Sequence, residues 1–269
     1  MKLLKFTVPF LVAFLFIGTS TTLSAEQEPT DWREAPWRFT FNIYGWAPEL
    51  PVDIKLGPIS EDLPIDLGTL LDDLQFGAMM DFELRKGRIG AYFSPIVVFL
   101  KDTETVQGPL QKHKVTIKDE AFLTDFGVTY EVGRWHLGKS SNSPTVTVEP
   151  FVGARWLIDD FPIKIDPPDR KVKPDITFIT PVIGLNTLWD LTERWHLRIE
   201  GDYGGFDVDN VEQTYNAMGL VGYRFKIRGV SSHVFAGYRY LHAHYEKVAD
   251  IKVTVRGPLV GIGFEFSSN

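Results

Sequence analysis

The residues of this sequence that could most clearly carry chemistry are charged side chains that alternate with apolar ones. In the stretch 195–206, Arg198, Glu200 and Asp202 alternate with large apolar residues. Because side chains two residues apart on a β-strand point to the same face, these charges would share one face. Such a face predicts either a polar path for a small solute or ion, or a salt-bridge network that fills a narrow interior. The residues that follow this pattern are Asp81, Glu83, Arg85, Asp125, Glu149, Arg155, Arg198, Glu200, Asp202, Arg224, Arg239 and Glu265.

The elements that position these charges are predicted to be strands, since period-two alternation recurs along the chain and helical periodicity is almost absent. Many of the segments run to about 10–16 residues. Strands of soluble sandwiches are typically ~5–6 residues long, whereas a tilted membrane-spanning strand needs roughly 9–11. The predicted strands are about 37–46, 75–86, 88–101, 115–132, 145–158, 175–190, 195–206, 212–226, 232–245 and 251–266.

The final segment, GPLVGIGFEFSSN, shows how the two faces of these strands differ. Val260, Ile262, Phe264 and Phe266 share one face, and the opposite face is small or charged. A soluble sheet with dense charges on its inner face would bury unpaired ions at a cost of several kcal/mol each. A membrane barrel reverses the arrangement, with apolar side chains toward lipid and polar ones toward a lumen. The pattern therefore predicts a closed antiparallel transmembrane β-barrel of about ten strands (range 8–12).

The connections between the predicted strands alternate in length, as they do in membrane barrels. Long ones follow odd-numbered strands at 47–74, 102–114 and 159–174. The first is acidic, and a short amphipathic helix is predicted near 67–74. It could be a cap or plug, a divalent-cation site shared with lipopolysaccharide, or a solvated loop over the barrel mouth. The basic residues of the 159–174 loop could contact lipopolysaccharide phosphates; they are Lys164, Arg170, Lys171 and Lys173.

The predicted extracellular rim carries residues that could bind a metal or act in catalysis. His242 and His244 form a His-x-His pair that could chelate a metal with a third ligand. Tyr238 and Tyr240 share their face, so we interpret the histidines as part of an aromatic girdle and predict no metal site and no cofactor. Four acids at strand ends could activate a water molecule, but no histidine partner and no G-x-S-x-G motif is evident. These acids are Asp159, Asp160, Asp207 and Asp209.

The first residues predict export. Lys2 and Lys5 precede a twelve-residue apolar run and a small, polar stretch that ends at Ala25, as in a secretory signal peptide. The formal net charge is −7, and −9 without those two lysines, which argues against nucleic acid as a partner. The chain has no cysteine, so the fold must be stable without disulfides. We expect a signal peptide at 1–25, a periplasmic tail at 26–36 and a barrel at 37–269.

Several stretches resemble a largely uncharacterised family of Gram-negative outer-membrane β-barrel proteins. The C-terminal half carries GDYGGF (201–206), TYNAMGLVGYRF (214–225), GYRYL (237–241) and GPLVGIGFEF (257–266). YGWAPEL and LGTLLDDLQFGAMMDFELRKGRIGAYF, in the N-terminal half, are similar to it as well. The resemblance implies an outer-membrane barrel without implying an activity. It also implies that the last strand, 257–266, is read by the barrel-assembly machinery.

These observations together predict a monomeric outer-membrane barrel without catalytic residues. Its role would be structural, or that of a narrow or gated passage for small solutes. The alternative is an outer-membrane enzyme, a protease or a lipid-modifying hydrolase, with acidic residues at the extracellular rim. Outer-membrane lipid and lipopolysaccharide are the predicted partners.

Overall fold

A computed structural model describes residues 36–48, 50–56, 59–65, 74–107, 112–138, 143–160, 163–166, 170–172, 175–246 and 250–268. The predicted signal peptide lies outside these ranges, as do residues 67–73 of the predicted helix. All the regular elements in the described ranges are strands, and none of these ranges contains a helix long and apolar enough to cross a bilayer. The strands are β1 Trp37–Trp46, β2 Leu50–Leu56, β3 Ile59–Ile65, β4 Leu74–Lys86, β5 Ile89–Gln107, β6 Lys112–Tyr130, β7 Gly133–His136, β8 Thr145–Asp160, β9 Ile163–Asp166, β10 Arg170–Val172, β11 Asp175–Asp190, β12 Trp195–Val208, β13 Val211–Ile227, β14 Val230–Glu246 and β15 Asp250–Ser267.

Ten of these strands close into an antiparallel barrel. The order around the ring is β1-β4-β5-β6-β8-β11-β12-β13-β14-β15, and the pairing of β15 with β1 completes it. Each of the ten corresponds to one predicted strand. The predicted fold class, a closed antiparallel barrel of about ten strands, is therefore confirmed. We call the end that carries Trp37 and Ser267 the terminal end and the opposite end the loop end.

The wall at the loop end is taller than the sequence predicted. β5 and β6 remain paired as far as Gln107 and Lys112, so most of the predicted 102–114 loop is strand. The prediction was wrong because both faces are polar there and the apolar alternation disappears. The predicted 47–74 loop contains the β2–β3 hairpin, and β2 pairs with the start of β15 above β1. β9 and β10 form a second small hairpin that pairs with β6.

The outer face of the barrel carries a band of exposed apolar side chains. Val260 is 63% exposed and Val152 is 55% exposed, and both face outward. Trp195 and Tyr203 lie eight residues apart on β12, which is about 27 Å of strand and roughly 20 Å along the axis at a tilt near 40°. Aromatic side chains mark both ends of this band. At the terminal end they are Trp37, Tyr130, Trp135, Trp195 and Tyr223, and at the loop end Trp156, Tyr203, Tyr215, Tyr238 and Tyr240.

The small inner face of the last strand makes room for side chains of its neighbour. Gly261 of β15 pairs with Phe235 of β14, and the Phe235 ring lies over the glycine. A Cβ at Gly261 would meet that ring and the backbone of Ile43. Aromatic rings laid over glycines are a known way to stabilise sheet glycines. The small face therefore supplies space inside a closed wall.

Candidate functional site

Arg155 of β8 is the centre of the charged lumen and is 1% exposed. Its Nε and Nη2 donate to the two carboxylate oxygens of Asp125, on the adjacent strand β6, at 2.8 and 3.0 Å. Nη2 also donates to Asp202 of β12 at 3.1 Å, and Nη1 donates to the hydroxyl of Thr214 of β13 at 2.7 Å. These partners stand two and three strands away around the ring. One guanidinium therefore ties four strands together across the interior.

Arg239 of β14 completes the layer from the opposite wall. Its Nη2 lies 3.5 Å from Asp125, and its Nε donates to Asn216 at 2.7 Å. Because β6 and β14 are five strands apart in either direction, the Asp125–Arg239 contact spans the full width of the barrel. The guanidinium also lies 5.2 Å from the ring of Trp46, a cation–π contact. We call this set the Arg155 layer; it comprises Asp125, Arg155, Asp202, Thr214, Asn216 and Arg239.

Apolar side chains fill the lumen beside and beyond the Arg155 layer. One buried cluster contains Trp46, Ile96, Leu241 and Leu259, among others. The Trp46 indole donates to the carbonyl of Gly257, which fixes its orientation. A second cluster contains Phe178, Val211 and Tyr245, with the Phe178 and Tyr245 rings 6.0 Å apart. These two clusters add buried apolar side chains to the interior of the described barrel.

A second charged network crosses the lumen nearer the terminal end. Arg85 of β4 contacts Glu83 at 2.7 Å, Glu149 of β8 at 2.8 Å and Glu131 at 3.7 Å. Glu149 accepts a hydrogen bond from Asn186, whose carbonyl oxygen accepts one from Arg198. Arg198 in turn contacts Glu200 at 2.8 Å. We call this set the Arg85–Arg198 network; it comprises Glu83, Arg85, Glu131, Glu149, Asn186, Arg198 and Glu200.

Water-sized space lies between and below these two sets of charges. A cavity of about 80 Å³ is lined by members of both, together with Asp81, which accepts hydrogen bonds from Asn42 and Ser94. Another cavity of about 180 Å³ lies toward the terminal end and is lined by Arg38, Thr40 and His196, among others. The lumen therefore widens toward the terminal end and narrows at the Arg155 layer.

The mouth at the terminal end is polar and open, with a recess of about 610 Å³. Arg224 pairs there with Asp190 at 2.5 Å, and the Arg224 side chain keeps 37% of its surface exposed. Glu265 lines the same recess. The rings of His196 and His233 lie 5.6 Å apart. These two histidines meet across β13, where Gly222 leaves space for the His196 ring, so their spacing in the sequence does not indicate the contact.

The predicted charged residues divide as follows. Four belong to the Arg155 layer, and five to the Arg85–Arg198 network. Asp81 lines the cavity between them, and Arg224 and Glu265 line the mouth. The neutral partners Asn42, Asn186, Thr214 and Asn216 were missed in the sequence. Their strand parity was a usable signal, since Asn42 alternates with Phe41 and Ile43 on β1.

Three of the four predicted rim acids, Asp159, Asp207 and Asp209, have side chains that the structure describes. Asp209 accepts a hydrogen bond from the backbone amide of Ile179 at 2.9 Å, so its carboxylate holds the β12–β13 turn to β11. Asp207, near the end of β12, and Asp209, in the turn itself, have φ of 60° and 55°. The side chain of Asp160 lies outside the described residues. The same holds for the side chains of Lys164, Arg170, Lys171 and Lys173.

The two histidines of the His-x-His pair have different surroundings. His242 stacks on Tyr215 with ring centroids 4.8 Å apart and contacts the hydroxyl of Thr254 at 2.9 Å. It therefore belongs to the aromatic girdle, as predicted. His244 does not, because it is 6% exposed and its Nδ1 lies 2.5 Å from a carboxylate oxygen of Glu212.

A closed antiparallel barrel with an apolar outer band, two aromatic girdles and ionic pairs inside is a transmembrane β-barrel. No protein-family model and no curated protein matches the chain. Among solved structures, the chain is similar to the outer-membrane protease OmpT of Escherichia coli, at 10% identity and a TM-score of 0.41, covering 86% of this chain and 97% of that one. It is similar to the translocator domain of the autotransporter NalP of Neisseria meningitidis, at 10% identity and a TM-score of 0.41, covering 85% and 88%. It is also similar to Ail, the attachment invasion locus protein of Yersinia pestis, at 9% identity and a TM-score of 0.37, covering 86% and 99%. Likeness at these values says nothing about activity.

Proposed function

We propose that this chain is a non-catalytic outer-membrane barrel whose lumen is closed by the Arg155 layer. Its role is structural, or that of a gated passage for small solutes that opens only when this layer is disrupted. The observation that carries the proposal is the Asp125–Arg239 contact, which spans the barrel at its full width. Ten strands form a narrow barrel, and clear aqueous channels belong to much larger ones.

The energetics favour a closed state. Arg155 and Asp202 are almost fully removed from solvent, with 1% and 3% of their side chains exposed. Separating such a pair leaves a buried charge without a partner. Removal of one partner from a buried ion pair costs roughly 3–5 kcal/mol. Spontaneous opening through this layer would therefore be rare. The wider terminal end would admit solutes without letting them cross.

The rim acids support a non-catalytic reading more than the enzyme alternative. The carboxylate of Asp209 accepts a hydrogen bond from the backbone amide of Ile179, a contact that serves the structure of the turn. We also propose that the basic hairpin around Lys164 and Lys171 contacts lipopolysaccharide. Its support is the β9–β10 pairing, which carries these residues along the loop-end extension of β6. We further propose that the chain is a monomer and that 257–266 is its assembly signal.

Conductance in planar bilayers tests the closed lumen. Pure native protein is expected to show no steady current. A triple variant, Asp125→Ala with Arg155→Ala and Asp202→Ala, removes both the charges and the volume of the layer and is expected to conduct steadily. The matched control is Arg224→Ala at the open mouth, which is expected to stay silent. Large, stable single-channel currents from native protein would overturn the proposal, whereas rare brief openings would favour the gated form over the structural one.

A further inference from the structure

The loop-end corner between β13 and β14 brings three metal-ligating side chains together. Val211 pairs with Tyr245 and Gln213 pairs with His244, so Glu212 is the extra residue of a β-bulge. Bulges re-aim side chains, often at functional positions. This bulge sets Glu212 beside His244 on the neighbouring strand. A regular register, without the extra residue, would not bring the two side chains together.

The third group is Glu246, two residues beyond His244 on the same strand. One ligating atom from each of Glu212, His244 and Glu246 lies within 4.8 Å of the other two. A tetrahedral ion at about 2.1 Å from its ligands holds them roughly 3.4 Å apart. The observed spacing of the ligating atoms, within 4.8 Å, is wider than this ideal spacing. Both glutamate side chains are exposed, and their movement toward the ion would shorten the spacing without a backbone shift.

The backbone around the three ligands is held in place. The amide of Glu246 donates to the carbonyl of Asn210 at 2.8 Å. Asp209 and Asn210 adopt φ of 55° and 66°, a left-handed turn conformation that such residues tolerate. The imidazole is more than nine-tenths buried and directed at the carboxylates, while the Glu212 side chain is 51% exposed. The corner is thus a fixed imidazole beside two carboxylates that solvent ions can reach.

The donor set defines the class of ion. Two carboxylates repel one another, and a divalent ion would offset this repulsion. Calcium and magnesium prefer all-oxygen sites. One imidazole nitrogen with two carboxylate oxygens suits a borderline transition metal, for which zinc is the common biological case.

We propose that Glu212, His244 and Glu246 form a zinc-type divalent metal site at the loop-end rim of the barrel, with a fourth position left to water or an external ligand. The site is separate from the Arg155 layer and independent of whether the lumen conducts. It differs from a His-x-His chelate, since His242 is engaged by Tyr215 and Thr254. Residue spacing in the sequence does not indicate this site, because a β-bulge brings Glu212 beside His244.

Metal titration of the full chain in detergent micelles, with no polyhistidine tag, tests the proposal. Isothermal titration with Zn²⁺, and the visible absorption of Co²⁺, are expected to report one site per chain. His244→Ala is expected to weaken binding at least about 100-fold, because loss of even an outer partner of a ligand costs ~10–100-fold. Glu246→Gln, at an exposed position, tests the same site with little risk to folding and is expected to weaken binding at least about tenfold. Heat-dependent migration in gels checks that each variant is folded.

His242→Ala is the matched control, since it removes a histidine two residues away on the same strand. It is expected to leave Zn²⁺ affinity unchanged. The proposal is overturned if the native chain binds no Zn²⁺, if Glu246→Gln binds as tightly as the native chain, or if His242→Ala loses as much affinity as His244→Ala. A tight response to Ca²⁺ or Mg²⁺ that His244→Ala does not alter would also contradict it.

Discussion

The two ends of the lumen use the same kinds of charged residue in different ways. At the loop end, Arg155 is 1% exposed and its partners come from strands up to three places away around the ring. At the terminal end, Arg224 keeps 37% of its side chain exposed and its pair with Asp190 borders an open recess. Whether the lumen is closed therefore depends on how far across the ring the ionic contacts reach. The number of charges alone does not decide it.

The largest difference between the two ends is expected in stability. Arg155→Ala leaves Asp125 and Asp202 as buried carboxylates without their main partner, which should cost about 3–5 kcal/mol. Arg224→Ala removes a half-exposed pair and should cost ~1 kcal/mol or less. Urea unfolding in lipid vesicles measures both. Equal losses of stability for the two variants would contradict a larger contribution of the Arg155 layer than of the Arg224–Asp190 pair.

This contrast also separates what the sequence could predict from what it could not. The ten wall strands and the inward parity of Arg155 and Asp202 were readable, because strand periodicity is local and lipid imposes it on every span. The partners across the lumen were not readable, because Asp125 and Arg239 are 114 residues apart and meet only after the ring closes. The 102–114 segment was misassigned for a related reason: strand pairing continues there without the apolar face that lipid requires.

The outer face can be compared with the lumen by placing a charge on it. Val260→Arg sets a cation on a side chain that is 63% exposed. In water this change would be nearly neutral, whereas on the lipid face it should cost about 2–4 kcal/mol near the bilayer midplane. Val260→Ala is the control for lost packing. Folding yield into vesicles and urea unfolding are the measurements, and an unchanged stability for the arginine variant would contradict a lipid-facing position.

Glycines on the two faces offer a smaller and finer comparison. Gly261 faces the lumen, where a Cβ would meet the Phe235 ring, whereas a Cβ at Gly219 would meet nothing within 4 Å. Gly261→Ala should cost roughly 1–3 kcal/mol through overpacking, and Gly219→Ala should have little effect. Phe235→Ala combined with Gly261→Ala should lose less than the sum of the two single changes, since the clash is then absent. Thermal unfolding of the four variants checks this, and strict additivity would argue against the ring-over-glycine contact.

The lack of cysteine in the chain permits a direct measurement of sidedness. Thr40→Cys places one thiol in the cavity of about 180 Å³ on the terminal side of the Arg155 layer, and Val152→Cys places one on the outer face. A charged, membrane-impermeant thiol reagent is applied separately to each side of the membrane. The closed barrel predicts that Thr40→Cys reacts only from the terminal side and that Val152→Cys reacts from neither side. Reaction of Thr40→Cys at equal rates from both sides, or fast reaction of Val152→Cys, would contradict the account.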